Sequence, residues 1–206
     1  MGGFLQFDRA KLKAVVHYVC SQCEPAELGA VKLHKTLYYA DMLHYLGFGA
    51  PLTGATYRKR PLGPMCDSLL PILRELERGG AIEVREVDYF GYRKKEYVSL
   101  QEPALDKLGT DERAILDEII DFVCRENTAK TISDFSHSAP WEIVEFGEVL
   151  PYHNALLLVP NQVSEDAFDW ALEQASDIEA ARSRGNPLDY PVFADLRSRV
   201  LQEGRG

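Results

Sequence analysis

Along much of the chain apolar residues return every three or four positions, the period of a helix with one buried face. Residues 8–23 show it first: Leu12, Val15, Val16, Val19, Cys20 and Cys23 share a side, and Asp8 ahead of them suits a helix N-cap. A second helix is expected over residues 29–46, stopped by Gly47. Its Leu33, Leu37, Ala40 and His44 lie on one arc, and His34, Tyr38, Asp41 and Tyr45 lie on another about 100° away. Such a helix needs contacts on two sides.

Period-two alternation over residues 52–60 predicts a strand. Gly63-Pro64 is expected to open a helix, with Pro64 at the first helical position and Leu69, Ile72, Leu73 and Leu76 inward. That helix ends at Gly79-Gly80, and Pro71 should kink it or mark a fresh start. Residues 81–87 and 92–100, joined by Asp88-Tyr89-Phe90-Gly91, read as a hairpin. Thr110, Asp111 and Glu112 start a helix that ends near Asn127 and carries Ile115, Leu116, Ile119, Ile120 and Val123. A short helix over 131–137, a loop at Leu150-Pro151-Tyr152, a helix capped by Ser164 and a last helix over 190–201 complete the pattern. The fold expected is α+β and mostly helical, a bundle with a small antiparallel hairpin. One domain spans residues 1–160 and a helical extension spans 161–206.

With 206 residues, 46% of them hydrophobic, the chain can bury a core without disulfides or metals. Its longest apolar run, residues 155–159, is far short of the roughly 20 residues that cross a bilayer. Asp8, Arg9 and Lys11 stand where a secretory signal would be apolar, so a soluble cytoplasmic protein is expected. The four cysteines, at 20, 23, 66 and 124, are scattered; Cys20 and Cys23 share CxxC spacing inside a helical pattern, which favours buried structural thiols.

Charge sharpens the picture. The formal net charge is -9, and residues 101–181 alone carry 18 acidic and 4 basic residues. A surplus of that size repels nucleic acid and attracts basic surfaces.

Catalytic signals are missing: there is no phosphate-cradling Gly-Lys-Ser/Thr loop, no paired histidines on one helix turn and no nucleophile elbow. His34 and His44 diverge by about 80° around their helix and cannot share a metal. No cofactor and no metal are expected. His44 reads as a satisfied core histidine. The stripe His34, Tyr38, Asp41, Tyr45 has two readings, a site or a polar network that locks the helix to its neighbours. Arg58-Lys59-Arg60 and Arg93-Lys94-Lys95, near Tyr57, Tyr89, Phe90 and Tyr92, allow a winged-helix-like element, although the acidic block beside them makes phosphate attraction poor.

Lys32-Leu33-His34-Lys35-Thr36-Leu37-Tyr38-Tyr39-Ala40-Asp41 resembles the core motif of the Panacea domain, the SocA-like antitoxin family. Further elements follow in order: Pro51-Leu52-Thr53-Gly54 with Tyr57, Pro61-Leu62-Gly63-Pro64, Ser136-His137, Pro140-Trp141 and Leu150-Pro151-Tyr152. The resemblance runs from Val31 to Tyr152, with Thr36, Leu62, Leu150 and Pro140 as its departures. It implies an antitoxin that binds a co-encoded toxin directly and, in some relatives, presents it to a cellular protease. A toxin acting on RNA or nucleotides needs a basic active site, which an acidic partner would complement. Tyr38, Tyr45, Tyr57, Arg58 and Trp141 are the candidate anchors for that contact. An operon-repressing DNA binder, acting through Arg58, Lys59, Arg93 and Lys94, is the alternative. An enzyme built on His34 and Asp41 is a third reading.

Overall fold

The computed structural model describes residues 6–89 and 91–159. The extension over 161–206, with the helices expected after Ser164 and over 190–201, lies outside the described residues.

Helix α1 (Arg9–Gln22) starts where Asp8 accepts the Lys11 N–H at 2.8 Å, and it buries Leu12, Val15, Val16, Val19 and Cys20. Helix α2 (Ala30–Phe48) is the axis of the molecule. From Lys32 through Leu43 nearly every side chain is buried, because β2, α4, α5 and the last 3-10 helix surround it as well as α1. The helix runs through Gly47 and stops at Gly49, which adopts the left-handed conformation (φ 69°) and returns its N–H to the Tyr45 carbonyl. Two glycines lie within three residues, and the one that can turn left-handed sets the end.

Strand β1 (Tyr57–Arg60) pairs antiparallel with β2 (Gly63–Cys66), Arg60 opposite Gly63 across a two-residue turn. The strand expected over 52–60 thus shortens to its last four residues, and Gly63-Pro64 opens a strand instead of a helix. Pro64 lacks a ladder donor, but a two-stranded sheet has free edges that tolerate it. Helix α3 (Leu69–Arg78) begins after Ser68, so Pro71 falls in its first turn, where a missing N–H breaks no helical bond and no kink is needed. Its apolar face buries Leu69, Ile72, Leu73 and Leu76.

Hairpin β3 (Ile82–Tyr89) and β4 (Tyr92–Ser99) pairs Tyr89 with Tyr92, so Asp88 and Tyr89 belong to the strand rather than the connection. The helix-then-hairpin order of α3, β3 and β4 is present. The two basic runs, however, sit on different sheets, Arg58-Lys59-Arg60 on β1 and Arg93-Lys94-Lys95 on β4. Helix α4 (Thr110–Ile120) starts with Glu112 accepting the Gly109 N–H at 2.9 Å and continues into a π turn (Asp121–Arg125). Helices α5 (Ala129–Phe135) and α6 (Ala139–Glu142) and a 3-10 helix (Tyr152–Leu158) close the bundle. The result is α+β and mostly helical with two small antiparallel sheets. Among the described residues no helix is long and apolar enough to cross a membrane.

Candidate functional site

Helix α2 places two buried polar side chains, Asp41 and Lys35, on the side that faces the β1–β2 hairpin. Asp41 is 0% exposed. Its carboxylate accepts the Thr53 N–H at 2.5 Å, the Thr53 hydroxyl at 2.6 Å, the Gly54 N–H at 3.4 Å and the Tyr57 hydroxyl at 2.7 Å. Burial raises its pKa above the ordinary carboxylate value, and these four donors offset only part of the rise. Burial and the adjacent carboxylate together hold the Tyr57 hydroxyl protonated, well above its ordinary range. Tyr57 also reaches the Leu37 carbonyl at 2.8 Å, and Tyr152 donates to the Ala55 carbonyl at 2.5 Å. The loop from Thr53 to Tyr57 is thus fastened to α2 by one carboxylate. Of the two readings of the stripe, the polar lock accounts for Asp41.

Lys35 fastens the next turn. Its ammonium donates to the carbonyls of Leu62 and of Pro64, the latter at 3.0 Å. Burial lowers its pKa to about 7. Between those carbonyls Gly63 stands at φ 86°, and a Cβ there would come within 2.1 Å of the Ser136 hydroxyl and 2.7 Å of the Lys35 nitrogen. Only glycine fits between the lysine and α5. His34 accepts the Cys66 N–H on Nδ1 at 3.1 Å, and burial, helped by the Lys35 charge, lowers its pKa to about 4. Lys32 donates to the Cys124 carbonyl at 2.7 Å, and Leu33 and Tyr39 are core.

Outside this lock runs a strap, residues 141–151, which leaves the end of α6 and is zipped to β1 at residues 147–150. Lys59 donates its N–H to the Glu148 carbonyl at 3.0 Å, Gly147 donates to the Lys59 carbonyl at 3.1 Å and Leu150 to the Tyr57 carbonyl at 2.8 Å. Trp141 stacks on His137 with ring centroids 4.2 Å apart, and the Lys59 ammonium lies 3.9 Å from the Trp141 ring centre. Pro151 caps the 3-10 helix that carries Tyr152.

The five expected anchors divide. Tyr38 and Tyr57 are each 1% exposed. Both are core side chains: the Tyr38 ring packs edge-on to Tyr39 and Tyr57, and the Tyr57 ring packs between Tyr38 and Tyr152. Tyr45, Arg58 and Trp141 stay half-buried and all touch the strap or its continuation. Tyr45 meets the Tyr152 ring at 5.8 Å, Arg58 bonds the Gly147 carbonyl at 3.1 Å and pairs with Asp67 at 2.7 Å, and Trp141 opens the strap. His44 is satisfied but lies at the margin of the core, its Nδ1 2.7 Å from the Ala50 carbonyl and its ring 4.6 Å from Phe48. All four cysteines are free and buried. Among the described residues no group of three or more His, Cys, Asp or Glu could hold a metal ion.

Sequence reasoning missed the strap's outer face. There Ile143, Phe146 and Val149 are exposed at 63%, 60% and 39%, and exposed Glu142, Glu145 and Glu148 each directly precede one of them. The three-residue spacing was visible, but in a segment without helical length it had no structural meaning until the pairing with β1 was known.

These features define a mostly helical α+β domain in which buried polar side chains hold surface loops in place. The chain belongs to the antitoxin SocA-like, Panacea domain family, whose model matches residues 33–142. Membership supports an antitoxin role in general and a toxin as partner, which suggests a regulator rather than an enzyme. No curated protein and no solved structure matches the chain.

Proposed function

We propose that this protein neutralises its cognate toxin by binding it directly, with the 141–149 strap as the contact surface. The observation that carries the reading is the strap's alternation of exposed apolar side chains and glutamates. Exposed apolar clusters of this kind mark protein contacts, and interleaved carboxylates steer them toward a basic target. A toxin with a basic active site is the partner of matching charge. Trp141 at the start of the strap, Arg58 bonded to it at Gly147 and Tyr45 packed on Tyr152 just beyond it would supply the larger anchors. The locks at Asp41 and Lys35 keep the strap's backing strand in register, so that little order has to be imposed on binding.

The test is co-expression with the growth-inhibiting protein encoded beside it, followed by co-purification. Wild type is expected to restore growth and to co-purify. A double variant, Ile143→Asp with Phe146→Asp, is expected to keep its folding stability within about 0.5 kcal/mol, as surface changes usually do, while losing both complex and rescue. A wild-type protein that forms no complex, or a double variant that rescues fully, overturns the reading. The same complex is the platform a protease adaptor requires. A toxin half-life shortened by the antitoxin marks that mode, and an unchanged one marks occlusion alone.

A further inference from the structure

At the start of α2, with no wall residue in the strap, the β3–β4 hairpin, the first turn of α2 and the chain around 124–129 line an open cavity of about 920 Å³. That volume lies in the range of small-molecule sites. Its walls carry Lys32, Arg93, Lys94, Lys95 and Arg125 against a single carboxylate, Glu27, in a protein whose net charge is -9.

Several of these cations have local partners. Lys94 bonds the Ala26 carbonyl and lies 3.1 Å from Glu96, Arg125 pairs with Asp121, and Arg93 lies 3.5 Å from Glu86. Lys32 is different. It is 9% exposed, its ammonium donates to the Cys124 carbonyl, and it forms no ion pair among the described residues. Buried charges are ordinarily paired, so an ammonium held in a cavity wall by one carbonyl has donors left for an anion. Lys95 is exposed and also forms no ion pair among the described residues.

Two more features point the same way. Helix α2, 19 residues long, begins at Gly29 with no side-chain cap, and its first helical hydrogen bond is Leu33 N–H to the Gly29 carbonyl. The N–H groups of Ala30, Val31 and Lys32 therefore precede the helical ladder beside the cationic wall. Across the cavity, at the hairpin end, Tyr92 is 76% exposed and offers a ring face on which a base can stack, beside Tyr89, whose ring centre lies 5.4 Å from the Lys94 ammonium.

We infer that this cavity binds a nucleoside polyphosphate, its phosphates against Lys32, Lys95 and the start of α2 and its base against Tyr92. The inference is independent of the toxin contact, since it concerns another face and is tested on the chain alone. Isothermal titration of the full-length protein with ATP, inorganic tripolyphosphate and adenosine separates the contributions of ring and charge. ATP is expected to saturate a single site and to bind about tenfold or more tightly than either fragment, as stacking adds to charge. Arg93→Glu with Lys95→Glu, both at exposed positions, is expected to weaken ATP about tenfold or more with folding unchanged. Tyr92→Ala is expected to bring ATP down toward tripolyphosphate. Lys32→Met gives an independent arm, with binding lost while urea unfolding still shows a single transition. Absence of saturable ATP binding up to about 1 mM at low salt, equal binding of ATP and tripolyphosphate, or indifference to the charge reversal overturns the inference.

Discussion

The lock beneath the β1–β2 hairpin and the strap outside it are made from opposite materials. At Asp41 a single buried carboxylate takes four donors within 3.4 Å. Over residues 141–149 Trp141 and Val144 pack inward, while Ile143, Phe146 and Val149 are exposed and the stretch from Gly147 to Leu150 is fastened to β1 by backbone. The lock is polar where a core is usually apolar, and the strap is apolar where a surface is usually polar. With the strap as the toxin contact proposed above, such a division separates stability from recognition, because a surface whose exposed side chains carry little of the fold can be varied above a lock that holds its backbone.

Breaking the lock should have the largest effect. Asp41→Ala removes the acceptor for the Thr53 N–H and hydroxyl, the Gly54 N–H and the Tyr57 hydroxyl and leaves them buried, a loss of about 3–5 kcal/mol. Urea unfolding should show it, together with loss of neutralisation through unfolding of the strap's support. Asp41→Asn keeps one acceptor oxygen and should fall between wild type and Asp41→Ala. An Asp41→Ala protein of wild-type stability would mean that the loop over 53–57 is held by something else.

Acid should loosen the lock from its other end. Burial lowers the His34 pKa to about 4, below its ordinary 6.5, and Nδ1 must stay unprotonated to accept the Cys66 N–H. Between those values the unfolded chain binds a proton that the folded chain refuses. Stability contributed here is complete above about pH 6.5 and is lost as the pH falls toward 4, by about 2–3 kcal/mol. Carboxylates elsewhere titrate in the same window, so the informative quantity is the difference from His34→Gln, which has no proton to gain. Wild type should lose more stability than His34→Gln between pH 7 and 4.5, and parallel curves would refute the assignment.

Much of the fold was legible in the sequence, and where it was not the reasons are physical. One-sided apolar periodicity in α1, α3 and α4 made those helices and their inward faces readable, and alternation flanking a glycine turn made the β3–β4 hairpin readable. Gly63-Pro64 misled because proline after glycine suits a helix start locally. The strand there depends on Lys35, almost thirty residues earlier, which takes the carbonyls on either side of Gly63. The motif residues around α2 were legible as a family resemblance, but their job was not. Side chains such as Asp41 and Tyr57 serve a lock or a contact equally well until burial is known. The cavity beside Lys32 escaped notice because its walls come from three stretches of chain that no local pattern connects.

The smallest effect expected decides between the lock and the surface for one residue. Tyr38 lies in the core with its ring edge-on to Tyr39 at 5.2 Å and to Tyr57 at 5.5 Å, and its hydroxyl is buried with no hydrogen-bond partner among the described residues. An unpartnered buried hydroxyl loses its water without recompense, so Tyr38→Phe keeps the ring contacts and removes only a cost. Thermal unfolding should show a gain of about 0.5–1 kcal/mol, with toxin neutralisation unchanged. A residue that anchors a partner through its hydroxyl would behave the other way, with stability indifferent and rescue weakened. That outcome would place Tyr38 on a surface reached only in a conformation other than this one, and the separation of stability from recognition would fail at the helix where both begin.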